Sequence, residues 1–107
     1  MRGESLKGHL DLLILAAVEP EPRHGYAVIE TLRAKSSGVF DLPEGTIYPA
    51  LHRLERSGHL ASRWSMHEGR RRRIYRLTVA GKTALRHETE QWSLFSHAVA
   101  AIVGASA

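Results

Sequence analysis

The sequence predicts a mainly α-helical chain with one small β-hairpin and a long C-terminal helix. Four segments repeat apolar residues at helical spacing, and two strand-like stretches, "LASRWSM" and "RRRIYRL", are separated only by "HEGR". The chain has 107 residues, which suits one compact domain, and 43% of them are hydrophobic, which is enough for a core. It contains no cysteine, which excludes disulfides, thiolate nucleophiles and the thiolate ligands of structural zinc sites.

The first helix is predicted from Leu6 to Val18, with Ser5 as its N-cap. Its apolar residues surround nearly the whole circumference, so we expect cover on more than one side, by its own domain and by a second chain. They are Leu10, Leu12, Leu13, Ile14, Leu15 and Val18. The run is too short to span a bilayer, carries Asp11 and lacks a small-residue cleavage site. We therefore expect a buried helix in a cytoplasmic protein without membrane contact.

The second helix is predicted in "YAVIETLRAKSSG", which follows the turn "EPEPRHG". Apolar residues recur there with charged residues between them, and "SSG" ends the helix. The repeating positions are Val28, Ile29 and Leu32.

The third helix is predicted in "EGTIYPALHRLERSG". Ile47, Leu51 and Leu54 fall on one face, and Gly58 ends the helix. Proline is tolerated only near the first turn, so Pro49 places the start of regular helical bonding close to Thr46.

The fourth helix follows the hairpin, with Thr78 as N-cap, and runs to about Val103. Its apolar residues form a heptad seam, which Glu88 interrupts and which requires a partner helix. The seam consists of Leu85, Trp92 and Val99, with Phe95 and Ile102 between them.

Positive charge is concentrated in the hairpin. The whole chain has a formal net charge of +4, but residues 60 to 77 hold six arginines and one glutamate, an excess of +5 that leaves −1 for the rest. A local basic patch on a balanced domain is typical of a contact with a phosphate backbone.

Three helices, a hairpin and a fourth helix are the element order of a winged helix-turn-helix, in which the third helix enters the DNA major groove. The outward face of the third helix can donate hydrogen bonds to phosphates and base edges, and the fork of Arg53 suits guanine. That face carries Thr46, Tyr48, Pro49, His52, Arg53 and Arg56.

The segments "LKGHLDLLILAAV", "HGYAVIETL", "LPEGTIYPALHRLERSGHL" and "RRRRIYRLTVAGKTAL" resemble the PadR family of bacterial transcriptional regulators over about residues 6 to 103. The resemblance implies a homodimeric winged-helix repressor, with a DNA-binding domain at 1–78 and a dimerisation helix at 79–107. The chain looks like the short subgroup with a single C-terminal helix. The family pattern for contacts with double-stranded DNA falls on Thr46, Tyr48, Pro49 and His52, and on Arg70, Arg71, Arg72 and Arg73.

Several residues have a simpler interpretation beside the functional one. The arginine run could be a solvated surface loop, but its position on a hairpin favours DNA contact, with Arg70 and Arg71 nearest the tip. Tyr48 could be a core aromatic, although its place beside Ile47 favours exposure. His52 is a weaker candidate, and Tyr26 fits either the core or a backbone contact.

The C-terminal seam also allows two interpretations. Trp92 and Phe95 fit dimer packing, and by the family resemblance they also fit a pocket for a planar aromatic effector. The residues assigned to the dimer interface or effector pocket are Leu10, Leu13, Leu85, Trp92, Phe95, Val99 and Ile102.

Catalysis and metal binding are not indicated. The seven histidines include no pair spaced i, i+4, and the chain shows no phosphate-binding glycine loop or nucleophile elbow. We expect no enzyme activity, cofactor or metal. The main alternative to a DNA-binding regulator is a winged-helix module that binds an acidic protein, and a small ligand-gated sensor is a third.

Overall fold

The computed structural model describes residue 6 and residues 8–104 of the chain. Four helices and a three-stranded antiparallel sheet of order β1-β3-β2 form the fold. The elements in chain order are α1 (Leu10–Val18), β1 (Arg23–His24), α2 (Gly25–Lys35), α3 (Glu44–Arg56), β2 (Leu60–His67), β3 (Arg70–Leu77) and α4 (Val79–Val103). The prediction of a mainly helical chain with a small hairpin is confirmed, and β1 is an addition to it.

Strand β1 has only two residues, which pair with strand β3 away from the hairpin turn: Arg23 with Tyr75, and His24 with Ile74. Two residues are too few for a periodic apolar pattern, so the sequence pattern predicted only a turn for this segment. The pairing makes β3 the central strand of the sheet.

Helix α1 begins at Leu10, four residues later than predicted. Gly8 has a φ of 90°, which an α-helix cannot accommodate, so the chain turns there before the helix starts. The expected cap, Ser5, lies outside the described residues. Leu10 and Leu13 are only partly buried against the core of their own chain.

Helix α3 begins at Glu44, two residues before Thr46, close to which regular helical bonding was predicted to start. The carbonyl oxygen of Pro43 accepts hydrogen bonds from Thr46 N and Ile47 N at 3.0 and 3.1 Å. Pro49 therefore lies inside the helix, where it cannot donate to the carbonyl of Gly45. Gly45 is exposed, so water can satisfy that carbonyl.

The core lies between the three first helices and the base of the sheet. Ile14, Val28, Ile47 and Leu51 are completely buried, and Tyr75 brings an aromatic ring into the core from β3. The helical stripes predicted from the sequence therefore face one another as expected.

Thr78 caps α4 as predicted. Its side-chain oxygen accepts a hydrogen bond from Gly81 N at 3.0 Å and donates to Gly58 O at 2.6 Å, which ties the start of α4 to the end of α3. Gly81 is buried, and a Cβ atom at this position would overlap the carbonyl oxygen of His59. The close approach of these backbones requires glycine.

The apolar seam of α4 is divided between the body of the protein and its surface. Leu85 packs against the core, whereas Trp92, Phe95, Val99 and Ile102 are exposed by 44, 57, 40 and 84% in the single chain. None of the helices in residue 6 and residues 8–104 has the length and hydropathy of a membrane-spanning segment.

Candidate nucleic-acid interface

The wing is the hairpin of β2 and β3, and its turn is shorter than "HEGR". Glu68 and Gly69 alone form the loop, with φ values of 52° and 77°, the left-handed pair that suits a two-residue hairpin turn. Arg70 therefore pairs with His67 and is the first residue of β3. Because side chains alternate along a strand, Arg71 and Arg73 share the face of Trp64, and Arg70 and Arg72 share the opposite face.

Trp64 is a residue of the interface that the sequence patterns did not indicate. It pairs with Arg73, is 53% exposed, and its ring lies 4.5 Å from the guanidinium carbon of Arg71 and 5.0 Å from that of Arg73. Cation–π contacts of this kind restrict where the two charges can move. The pairing could have been found by counting back from a two-residue "EG" turn.

Arg73 connects the wing to α3. Its Nε donates to Ser62 Oγ at 2.7 Å, Ser62 Oγ donates to Glu55 Oε2, and the guanidinium also lies 3.9 Å from that carboxylate. These contacts fix the distance between the wing and α3. They also occupy donors that the sequence pattern had indicated for DNA.

Arg72 reaches the N-terminus of α2. Its Nη1 lies 3.0 Å from Nε2 and 3.3 Å from Nδ1 of His24, the N-cap residue of that helix. The Nδ1 of His24 accepts a hydrogen bond from Ala27 N at 3.2 Å, and the ring of His67 lies 6.2 Å away. Burial, followed by the positive charge of Arg72 and by His67, lowers the pKa of His24.

This environment predicts a dependence of stability on pH. The pKa of His24 lies below its ordinary value of 6.5 in the folded chain, so the unfolded chain binds more protons as the pH falls below 6.5. The stability that the folded chain gains from a neutral His24 is therefore present above that pH, and it is lost as the pH falls towards the pKa of His24 in the folded state. We expect the melting temperature to fall less steeply between about pH 7 and pH 5 in His24→Asn, because asparagine caps a helix without titrating.

The matched control for this experiment is His97→Asn, at an exposed position of α4. It should keep the pH dependence of the parent chain. An equally steep fall in His24→Asn and the parent would contradict the role of His24.

Helix α3 presents Pro49, His52 and Arg56 to solvent, and Thr46 is half-buried. Tyr48 was expected to be exposed, but it is only partly so. Its ring packs on the N-terminus of α2, where a Cβ on Gly25 would lie 2.5 Å from Cε1 of Tyr48. Burial, with a smaller effect from Glu44 and an opposing one from Arg72, raises the pKa of the Tyr48 hydroxyl. The position between two helices therefore orients this side chain.

The structure corrects the assignment of Tyr26 and shows an ion pair at Arg53. Tyr26 is 51% exposed, which excludes the core assignment. The guanidinium of Arg53 forms a bidentate ion pair with Asp11 of α1, with Nη2 to Oδ1 at 2.7 Å and Nη1 to Oδ2 at 3.0 Å. The fork assigned to guanine is bound to Asp11 here, so contact of Arg53 with a base edge would require this ion pair to open.

A groove of about 830 Å³ runs between the wing and the two helices α2 and α3, and we call it the wing–helix groove. A smaller cavity beside it shares His52, Trp64 and Arg73. Four arginines and two histidines line the main groove against a single carboxylate, so it favours an anionic occupant. Its lining residues are His24, Gly25, Tyr26, Glu44, Tyr48, His52, Trp64, Arg70, Arg71, Arg72, Arg73 and Tyr75.

Comparison with known proteins adds evidence of a different kind. Residues 14–87 match the family described as "Transcriptional regulator PadR-like family". A transcriptional regulator of Mycobacterium tuberculosis is 44% identical over 63 residues, which are 59% of this chain and 46% of that protein, so the match covers less than half of the relative.

Solved structures match over more of the chain. A PadR family transcriptional regulator from Eggerthella lenta has 32% identity and a TM-score of 0.80, with 94% of this chain and 86% of that chain covered. A PadR family regulator from Clostridium difficile has 30% identity and a TM-score of 0.78, with coverages of 90% and 99%. The predicted winged helix-turn-helix with a long C-terminal helix is confirmed, as is the expectation that the protein is not an enzyme. The chain belongs to the PadR-like family of transcriptional regulators.

Proposed function

We propose that the protein is a homodimeric transcriptional repressor that binds a pseudo-palindromic operator in the cytoplasm. The observation that carries this proposal is the wing–helix groove, where the arginines of the wing lie beside the exposed face of α3. In a winged helix-turn-helix, these two elements approach adjacent parts of one duplex. Residues 1–78 would form the DNA-binding domain and residues 79–107 the dimerisation helix.

The contacts of the side chains on the wing and on α3 suggest different roles in DNA binding. Arg70 is exposed at the tip of the wing, and Arg71 is exposed with its guanidinium over the ring of Trp64, so both can donate to phosphates. Arg72 and Arg73 already bind His24 and Ser62, and we assign them mainly to positioning the wing. Thr46, Tyr48, Pro49 and His52 lie along α3 and are the candidates for contact with base edges.

The dimer is supported by the exposed half of the α4 seam. Trp92, Phe95, Val99 and Ile102 follow one another along one face, and an apolar stripe of this length is normally covered by a partner helix. His9 packs edge-on against Trp92, with ring centroids 5.2 Å apart, and would lie at the border of the interface together with the partly buried Leu10, Leu13 and Leu85. A planar aromatic effector between the exposed rings of Trp92 and Phe95 would change the spacing of the two α3 helices.

The proposal is tested by selecting bound duplexes from a random library with the full chain. We expect inverted repeats whose half-sites lie about one helical turn of DNA apart, or a multiple of it. In Thr46→Ala, we expect the preference for the selected duplex over random DNA to fall by about five- to a hundredfold, because a hydrogen bond to a base edge is removed. Thr83→Ala, at an exposed position of α4, should leave this preference unchanged.

Each part of the proposal can fail separately. Enrichment of single half-sites without symmetry would contradict the dimer. A library in which no sequence is enriched would contradict sequence-specific DNA binding and favour the alternative, an acidic protein as the partner of the wing.

A further inference from the structure

The ion pair between Asp11 and Arg53 joins α1 to α3 across 42 positions of sequence. Both oxygens of the carboxylate accept from the guanidinium, at 2.7 and 3.0 Å, so the two side chains fit as fork to fork. The side chains of Arg53 and Asp11 are 50 and 39% exposed, so the pair is open to solvent. The pair therefore lies at the surface, one residue along α3 from the outward-facing His52.

The acidic surroundings of Arg53 set it apart from the other arginine near the end of α3. A small cavity of about 360 Å³ is lined by Arg53, by Asp11 and by Glu88 of α4, so two carboxylates share this cavity with Arg53. Arg56, by contrast, is exposed, and no carboxylate in the described part of the chain pairs with it. Near the end of α3, the positive charge of Arg53 is therefore neutralised by a carboxylate, whereas Arg56 is exposed.

We propose that Asp11 limits the affinity for DNA, because it withholds the guanidinium of Arg53 from DNA phosphates. This inference rests on the proposed DNA-binding function. Binding to random DNA comes from the neutralisation of phosphates by basic side chains, with a salt-dependence slope of about 0.9 per contact. An arginine held by a carboxylate adds little to that affinity. Asp11 thereby lowers the affinity for random DNA and for the operator alike.

The variant Asp11→Asn tests this inference in the full chain. Asparagine keeps the size of the side chain and one acceptor oxygen but removes the charge that holds Arg53. We expect the affinity for a random duplex to rise about three- to tenfold, and the slope of log affinity against log salt to steepen by up to about two units for a dimer. The affinity for the selected operator should rise by a similar factor, because contacts with phosphates carry no sequence information.

The double variant Asp11→Asn with Arg53→Gln separates the role of Arg53 from a general change in charge. Compared with Arg53→Gln alone, it should show no gain in random-DNA affinity. Glu90→Gln, which removes the same charge from an exposed position of α4, should leave the slope of the parent unchanged. A gain that persists without Arg53 would overturn the inference.

A merely structural role predicts the opposite sign. If the pair only braced α1 against α3, Asp11→Asn would lower the melting temperature and weaken binding to both duplexes, and either an unchanged or a flatter slope would overturn the inference. Exposed ion pairs contribute little to stability, so we expect the variant to fold. If the parent chain bound no duplex at all, the proposed function itself would fail, which distinguishes the two results.

Discussion

Replacing Gly81 with alanine is expected to lower the free energy of unfolding by about 2 to 3 kcal/mol, because the added methyl group overlaps the carbonyl oxygen of His59. That oxygen also accepts a hydrogen bond from Thr78 N at 3.2 Å, so moving it disturbs the start of α4 as well. For a domain of this size, the melting temperature should fall by about 10 to 20 °C. Thermal unfolding followed by circular dichroism measures the change.

Gly45→Ala is the matched control for this prediction. Gly45 lies in the first turn of α3, and a Cβ at this position would meet nothing within 4 Å. Alanine should therefore stabilise the helix by about 0.5 to 1 kcal/mol. A Gly81→Ala chain as stable as the parent would show that α4 can move away from His59 at little cost.

Removing both tip arginines, in Arg70→Ala with Arg71→Ala, is expected to weaken binding to operator and random DNA alike, on the order of tenfold to a hundredfold at moderate salt. Both side chains can donate to phosphates, which carry no sequence information, so the specificity ratio should stay nearly constant. The salt-dependence slope should fall by up to about one unit for each arginine that no longer neutralises a phosphate. Fluorescence anisotropy of labelled duplexes between about 50 and 200 mM salt gives both quantities.

The control for this double variant is Lys35→Ala with Arg86→Ala, which removes the same charge from exposed positions outside the wing–helix groove. It should keep most of the affinity. A parent-like slope in the wing variant would exclude the tip of the wing from the contacts with phosphates.

Local patterns were sufficient to predict most of the fold. The stripes of α2 and α3, the hairpin, and the cap at Thr78 all depend on residues close in sequence, and all are confirmed. The errors occur where a single backbone conformation decides. The positive φ of Gly8 delays α1, and α3 begins two residues before Thr46 although it contains Pro49.

The site was less predictable because its decisive contacts are distant in sequence. Arg72 and His24 are 48 positions apart, and Arg53 and Asp11 are 42 apart, so no local pattern indicates either pair. The sequence located the arginine run correctly on the hairpin. It could not show which arginines are already bound to protein groups.

The unequal pairing of β3 has a mechanical consequence. Within the described sheet, Tyr75 and Ile74 are flanked by strands on both sides, whereas β2 alone pairs with Arg70, Arg71, Arg72 and Arg73. The sheet thus changes from three strands to two at Ile74, and backbone amides beyond that point should open without unfolding the core. Because Arg72 and Arg73 hold the start of this two-stranded part against His24 and Ser62, bending should be confined to the tip around Arg70 and Arg71, which could then follow DNA backbones of different groove width.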